Sequence, residues 1–413
     1  MTKATGMNVV AILGAPDPEM AAIEGLLREV GVPVLYGAGR PKPGQPPVRV
    51  TPREAGDVWS VLGDPNVLQK GTTALLVECE IADGRLENLP PPWRVVRADH
   101  HSPGDPGYGR PPGDYLAASS LGQVVGFLAA RGRLPASWEV ACGLRTLPGA
   151  IDSHRGLWYV SRGNPGGVAS HGWRVPPEVL LTAAADHCLA AAYAGKCPGV
   201  APAELAEHRA AERGKWLATG VDEVARRGIA WVVPVPGAPR GQGCSDGCPS
   251  HDDRNCMDCA AQDGLEELDR GGAPLWAAAV TRAIAWTTAV VRKAPVIDLG
   301  GVAVRDLRTF GFLPELPAAL TQMGECGLYR MEPRLGARDP RPCVGVTGAG
   351  EGSVPGTAPV EAFLGGWGAA QGLEGLYPDH DGTPAGIRAA AVRGFAGGYV
   401  SDDELTAPRT GRT

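Results

Sequence analysis

The chain has 413 residues, 59 of them glycine and 39 proline, with 44% hydrophobic and 20% charged residues. That balance is globular rather than disordered, the Gly and Pro excess implies many turns and long loops, and the length suggests two or three domains. A net charge of −6 excludes a generally basic nucleic-acid binder.

No apolar run approaches the ~20 residues of a membrane span, because residues 275–291 are interrupted by Thr281, Arg282, Thr287 and Thr288. Residues 1–10 lack the basic-then-apolar pattern of a secretory leader. A cytoplasmic protein is therefore expected, its ten cysteines held as thiols or on metal rather than in disulfides.

The first half alternates strand and helix signals. Residues 8–13 form a short apolar strand, a Gly-Ala-Pro turn follows, and residues 17–30 carry helical spacing at Met20, Ile23, Leu26 and Leu27. Gly31 stops that helix and residues 32–36 form a second strand. Four prolines within residues 40–47 demand a loop. Residues 73–80 and 93–98 are further strands, the former apolar enough for a sheet covered on both faces. Residues 116–130 are helical and residues 138–142 read as a fifth strand. This order predicts an α/β domain on a parallel sheet. Next come helices over residues 178–194, with Pro176 and Pro177 before and Gly195 after, and over residues 203–227. A short strand at 231–235 leads into a Gly-, Pro-, Asp- and Cys-rich break at 236–263. A buried-looking helix over 275–293 follows, and then, over 295–307, a strand pair or a bend around Gly300-Gly301. The domain plan is 1–235, a linker at 236–265, and a smaller α+β domain at 266–413.

Four polar clusters fall where chemistry is expected. Asp99-His100-His101 follows the strand at 94–98 directly, and the carboxyl ends of parallel strands are where α/β sheets place ligands. Pro16-Asp17-Pro18-Glu19 opens the first helix, where capping and the helix dipole also favour acids. Glu78-Cys79-Glu80 ends the third strand; strand alternation puts the two glutamates on one side and Cys79 on the other. Asp186-His187 interrupts an otherwise apolar helix and needs a partner there. Together these offer O and N donors for one or two hard or borderline cations, a set suited to activating water and clamping a phosphoryl group.

Their order resembles the DHH phosphoesterase superfamily, which includes RecJ-type exonucleases, oligoribonucleases, cyclic-dinucleotide phosphodiesterases and manganese-dependent pyrophosphatases. The resemblance covers about residues 8–200. It implies a DHH-like domain in which Asp17, Glu19, Glu78 (or Glu80), Asp99, His100 and Asp186 hold Mn²⁺ or Mg²⁺, and His101 faces the phosphate. Three positions depart from the family pattern: Leu13 stands where it has a histidine, and Glu19 and Glu78 where it has aspartates. His187 is a candidate replacement imidazole. The family's Gly-Gly-Gly-His motif is absent; residues 345–352 and 393–399, with Arg393, are the nearest Gly-rich stretches.

Independently, Cys244, Cys248, Cys256 and Cys259 place four thiolates within 16 residues. This suits a structural zinc ion, with His251 as a substitute ligand and an iron–sulfur cluster as the chemical alternative. Cys79, Cys142 and Cys188 read as ordinary buried thiols. His154 and His171 lie in a Gly-rich stretch at 149–173 that suits a lid or a long loop. Nucleophile-elbow, Walker A and GxGxxG patterns are absent. The expected activity is metal-dependent hydrolysis of a phosphodiester or phosphoanhydride, with a phosphate-containing small molecule or short nucleic acid as partner. The rivals are a zinc-stabilised, non-catalytic binding or regulatory protein on a degenerate DHH fold, and a nucleic-acid binder built on the cysteine cluster.

Overall fold

The computed structural model describes residues 9–40, 44, 46–50, 55–64, 73–81, 94–101, 104–141, 151–152, 157–161, 171–220, 222–232, 257–310, 313–331, 341–348, 357–377, 382–391 and 395–400. The chain forms two compact units, Met1–Leu205 and Ala206–Thr413.

The first unit is built on β1 (Val9–Leu13), α1 (Pro18–Glu29), β2 (Val34–Ala38), β3 (Ser60–Leu62), β4 (Thr73–Val77) and β5 (Arg94–Ala98). The strands form one sheet in the order β3-β2-β1-β4-β5. β1 runs parallel to β2 and β4, β4 parallel to β5, and the edge strand β3 antiparallel to β2. Every residue of β1 and β4 is buried, as their unbroken apolar sequences require. One face packs Leu75 and Val77 against Met20, Ile23 and Leu27 of α1, and against α2 (Tyr115–Ala118), α3 (Ser120–Ala129) and α4 (Pro177–His187). The other face packs Val10, Ile12, Ala74, Leu76 and Cys79 against Val50 and Val58. The chain leaves β1 for β2 on one side and returns to β4 on the other. A crevice therefore opens beyond the carboxyl ends of β1 and β4, the place where such sheets bind ligands.

Several elements differ from the sequence expectation. The helix at 116–130 is two pieces, α2 and α3, because Ser119 is extended and its side chain caps Gly122. Gly122 allows this kink: a Cβ there would meet the Leu116 carbonyl oxygen at 1.4 Å. The helix at 178–194 breaks at Cys188 into α4 and α5 (Leu189–Tyr193). The fifth strand, β6 (Glu139–Ala141), joins a separate antiparallel sheet with β7 (Ile151–Asp152), β8 (Leu157–Ser161) and β9 (His171–Arg174). The stretch at 149–173 thus contains strands rather than one long loop. His154 lies outside the described residues.

The second unit begins earlier than the expected boundary at 235. Helices Pro202–Ala218 and Glu223–Val232 supply Ala210, Leu217, Ala225 and Ile229 to a core shared with Leu268, Trp276, Val280 and Ile284. Trp231 and Val232 end a helix rather than forming a strand, since Ala225, Ile229 and Val232 fall on one helical face. The long helix Met257–Val291 is kinked at Gly272 (φ 61°), just before Pro274. Within Gly264–Val291 the most apolar 18-residue window has a mean hydropathy of 1.2, enough by length and composition alone to cross a membrane, but Leu268, Trp276, Val280 and Ile284 of this helix are buried in the core. Gly300 and Gly301 turn the hairpin of β10 (Val296–Leu299) and β11 (Val302–Asp306), as expected.

The hairpin opens a six-stranded sheet completed by β12 (Cys326–Met331), β13 (Cys343–Gly348), β14 (Leu373–Tyr377) and β15 (Phe395–Val400), in the order β10-β11-β12-β13-β15-β14. Only β11 and β12 pair in parallel. The Gly-rich residues 345–348 and 395–399 lie in strands β13 and β15; residues 349–352 and Arg393 lie outside the described residues. Unit two spans 206–413 and unit one 1–205, so the carboxyl-terminal unit is not the smaller.

Candidate metal centre

Three strand ends and one helix build the site. After β1, Asp17 caps α1, its Oδ1 accepting from Met20 N at 2.6 Å. The cap starts the helix so that Glu19 turns inward. Glu19 is only 1% exposed, and its Oε1 accepts from Leu121 N of α3 at 2.9 Å.

β4 stops at Val77, and the next residue, Glu78, has φ 47°. This left-handed residue resets the alternation. Leu75 and Val77 face the helical layer, whereas Ala74, Leu76 and Cys79 all face the opposite one. The reset is what brings Glu78 to the side of Glu19. A non-glycine residue in this conformation costs on the order of 1 kcal/mol, and strain of this kind gathers at functional sites. Glu80, by contrast, is exposed and pairs with Arg97 at 2.6 Å, so it does not join Glu78 in the donor group. Gly14 makes room for the reset, since a Cβ there would lie 2.1 Å from the Glu78 carbonyl oxygen.

After β5, Asp99 organises the triplet. Its Oδ1 accepts from His100 N (2.7 Å), His101 N (3.1 Å) and His101 Nδ1 (2.9 Å). Gln123 clamps the Asp99 backbone, accepting from its N–H at 3.2 Å and donating to its carbonyl at 2.9 Å. His100 places Nε2 2.9 Å from Asp186 Oδ2 and Nδ1 3.2 Å from Ser120 Oγ. The rings of His100 and His101 stack at 4.3 Å, and His187 meets His100 edge-on at 5.3 Å. Gly107 lets the following loop close over His100, for a Cβ there would meet Ala118 O at 1.9 Å.

One donor atom each from Glu19, Glu78, His100 and Asp186 lies within 4.8 Å of the others, and Glu78, His100 and His101 form a second such group. Asp17 and Asp99 belong to neither group: they cap and orient. His187 stays outside as well, with Nε2 3.3 Å from the Arg110 carbonyl oxygen. Leu13, at the departed histidine position, is fully buried in the core. Cys244, Cys248 and Cys256 lie outside the described residues. Cys259 falls within the helix Met257–Val291.

Electrostatics single out the same group. Burial, and then the neighbouring Asp186 and Glu78 carboxylates, push Glu19 well above the ordinary carboxylate range. Burial, reinforced by Asp186, raises Glu78 to about 7. Burial alone would raise Asp186, but the His100 contact outweighs it and holds it at about 2. The bond to Asp99 raises His101 to about 9, so it is an imidazolium at neutral pH. Glu19 Oε2 and Glu78 Oε1 are buried and receive no hydrogen bond. Buried carboxylates crowded together without donors are costly unless protonated or bound to a cation. Three carboxylates and one imidazole are a donor set for a hard or borderline divalent ion, so the residues fit a metal.

Gln123, Ser120 and the Leu121 amide were not anticipated. The one legible signal was Gln123, the lone amide in the apolar helix SLGQVVGFLA. Arg49 was also missed. Its Nε donates to Gly14 O at 2.8 Å and its guanidinium lies 4.5 Å from the Tyr36 ring centroid. One of its terminal nitrogens is buried without a partner. Comparison of this chain with protein-family models, with curated proteins and with solved structures finds no match.

Proposed function

We propose that the crevice beyond β1, β4 and β5 is the active centre of a metal-dependent phosphoesterase, acting on a phosphodiester or phosphoanhydride of nucleotide or short-oligonucleotide type. The observation that carries this reading is the cluster of Glu19, Glu78, His100 and Asp186, with two buried carboxylate oxygens lacking donors beside an imidazolium. The order of these residues is also what resembles the DHH superfamily.

A divalent ion held by Glu19, Glu78, His100 and Asp186 supplies Lewis-acid polarisation of water and of a phosphoryl oxygen. The chain's own residues do the rest. Asp99 fixes the His101 ring through Nδ1 and keeps it protonated, leaving Nε2 as the ring's remaining donor. That donor stabilises charge developing on phosphoryl oxygens or delivers a proton to the leaving oxygen, effects worth roughly 10²–10³ in rate. Arg49, beside Gly14, adds a second cation suited to an anionic substrate. Leu13 leaves the cluster with a single imidazole ligand, which favours one tightly held ion over two.

The experiment is Mn²⁺ titration calorimetry, with turnover of bis-(p-nitrophenyl) phosphate, pyrophosphate and linear and cyclic dinucleotides. Wild type should bind Mn²⁺ and hydrolyse at least one substrate. The double variant His100→Ala, His101→Ala should stay folded and lose turnover. A folded wild type taking up neither Mn²⁺ nor Mg²⁺ would sink this reading and favour the non-catalytic binding protein.

A further inference from the structure

At the edge of the centre Cys188, expected to be an ordinary buried thiol, has a second thiol beside it, that of Cys197. Cys188 interrupts the helical run between α4 and α5, with a backbone that is neither helical nor extended (φ −153°, ψ 48°). Cys197, only 2% exposed, sits nine residues on. Their sulfurs are 3.0 Å apart, about 1 Å beyond the ~2.05 Å of a formed S–S bond.

The approach is built rather than accidental. The intervening turn is tied by its own backbone: Ala192 N donates to Cys188 O, Gly195 N to Ala192 O and Lys196 N to Ala191 O, each within 3.0 Å. Gly195 takes the left-handed conformation (φ 71°) that the reversal requires. On the far side, Tyr115 Oη donates to the Pro198 carbonyl at 3.2 Å. Cys79 is the contrast: it is equally buried, but its Sγ faces the Ile12 carbonyl oxygen at 3.5 Å.

We propose that Cys188 and Cys197 form a redox-active dithiol that a hydroperoxide closes to a disulfide. Cys188, the more exposed of the two, is the point of entry. With hydrogen peroxide, the O–O bond breaks as the Cys188 sulfur takes one oxygen as a sulfenic acid, and the other oxygen leaves as water. The Cys197 sulfur then displaces the sulfenic oxygen, which takes the Cys197 proton and leaves as a second water. One S–S bond forms, sulfur loses two electrons and the peroxide oxygens gain them. The bond closes immediately after Asp186-His187, so the modified position abuts the donor cluster. The inference does not depend on whether that cluster holds a metal.

The test is peptide mapping of the full-length protein after hydrogen peroxide, alkylation of remaining thiols and digestion without reductant. Wild type should lose two alkylatable thiols and yield a Cys188–Cys197 linked peptide, two hydrogens lighter and released by dithiothreitol. In Cys197→Ser, Cys188 should instead proceed to sulfinic acid, having no resolving partner. Recovery of Cys188 and Cys197 from peroxide-treated wild type as separate alkylated or oxygenated peptides, or linked to other cysteines, would overturn the proposal.

Discussion

In the second unit, charges drawn toward the interior come with opposite charges in reach. Arg305 donates twice to Glu325, Arg213 bridges Glu315 and Asp222, and Arg226 reaches Asp269 and Glu223. Among the described residues there, Arg226 Nε is the one buried side-chain polar atom without a partner. At the carboxyl end of the five-stranded sheet, Glu19, Glu78 and Asp186 instead crowd one another, and two of their oxygens have no donor at all. Paired charges serve the fold at small net gain or loss. Like charges held together against their own repulsion need a proton or a cation, and that contrast locates the centre.

The comparison breaks most severely if Gly14 acquires a side chain. Its Cβ position is 2.1 Å from Glu78 O and 3.2 Å from Val77 O, all of it backbone that has nowhere to go. Gly14→Val should destabilise by roughly 3 kcal/mol or more and abolish Mn²⁺ binding. Gly25, inside α1 with nothing within 4 Å of its Cβ position, is the control: Gly25→Ala should stabilise by up to ~1 kcal/mol. Urea unfolding of the two variants checks both, and equal stabilities would show that the β1–β4 crevice has slack.

Much of this centre was legible in the sequence. Asp99-His100-His101 after an apolar strand, and an acid just inside the first helix, declared themselves by position. The position of Glu78 at a strand end is legible, but its turn toward Glu19 is not, because alternation assumes extended backbone and Glu78 is left-handed. No local pattern announces a strained non-glycine residue; it persists because Gly14 and the Ala98 carbonyl, which accepts from Glu78 N, hold it. The break at Cys188 was missed for a similar reason: an Ala-rich run reads as one helix, and the paired thiols that accompany the interruption lie nine residues apart. The segment at Trp231 misleads in the opposite way: its bulky apolar residues suggest a strand, while the spacing of Val232 to Ile229 and Ala225 sets a helix that leaves Trp231 exposed.

Titration sharpens the contrast next. Glu78 titrates at about 7 in the folded chain against an ordinary 4.5. Between those values the folded protein holds a proton that the unfolded chain has lost, so stability falls as pH rises through this window. The loss is on the order of 3 kcal/mol for a fully buried acid. His101, raised from 6.5 to about 9, contributes stability that is complete below 6.5 and lost as pH rises through 9. Asp186, held at about 2, acts the other way: its contribution is present above 3.8 and lost as pH falls through 2. Chelator-treated protein should therefore weaken from pH 5 to 7.5 in urea unfolding. Mn²⁺ should flatten the decline, and Glu78→Gln should reduce it to the part that Glu19 and His101 contribute. A wild type whose stability rises across that range would show that the carboxylates are not crowded as drawn.

Within the centre, ligands can be separated from orienting groups. Asp99 spends Oδ1 on His100 N, His101 N and His101 Nδ1 and lies outside the donor groups. Asp99→Asn should keep Mn²⁺ affinity within about threefold while turnover at pH 8 falls roughly 10²-fold. The alkaline limb of the rate profile should move from about 9 toward 6.5, because the imidazolium loses its carboxylate. An affinity loss of tenfold or more would make Asp99 a metal ligand, as the family resemblance implied.

The smallest effect belongs to the second unit. Arg305 donates to Glu325 through both Nε and a terminal nitrogen, at 2.6 and 3.0 Å, with side chains 21% and 33% exposed. Partly solvated pairs of this kind contribute little. Arg305 also donates to the Ala294 carbonyl, so it has a second anchor. Glu325→Gln should therefore cost less than ~1 kcal/mol, with the difference shrinking at high salt, and should leave Mn²⁺ binding by the first unit unchanged. A paired charge in this unit and an unpaired one at the β1–β4 crevice would then differ in kind as well as in size. Neutralising the first mildly loosens the fold, whereas neutralising Glu78 firms the metal-free fold and destroys the site.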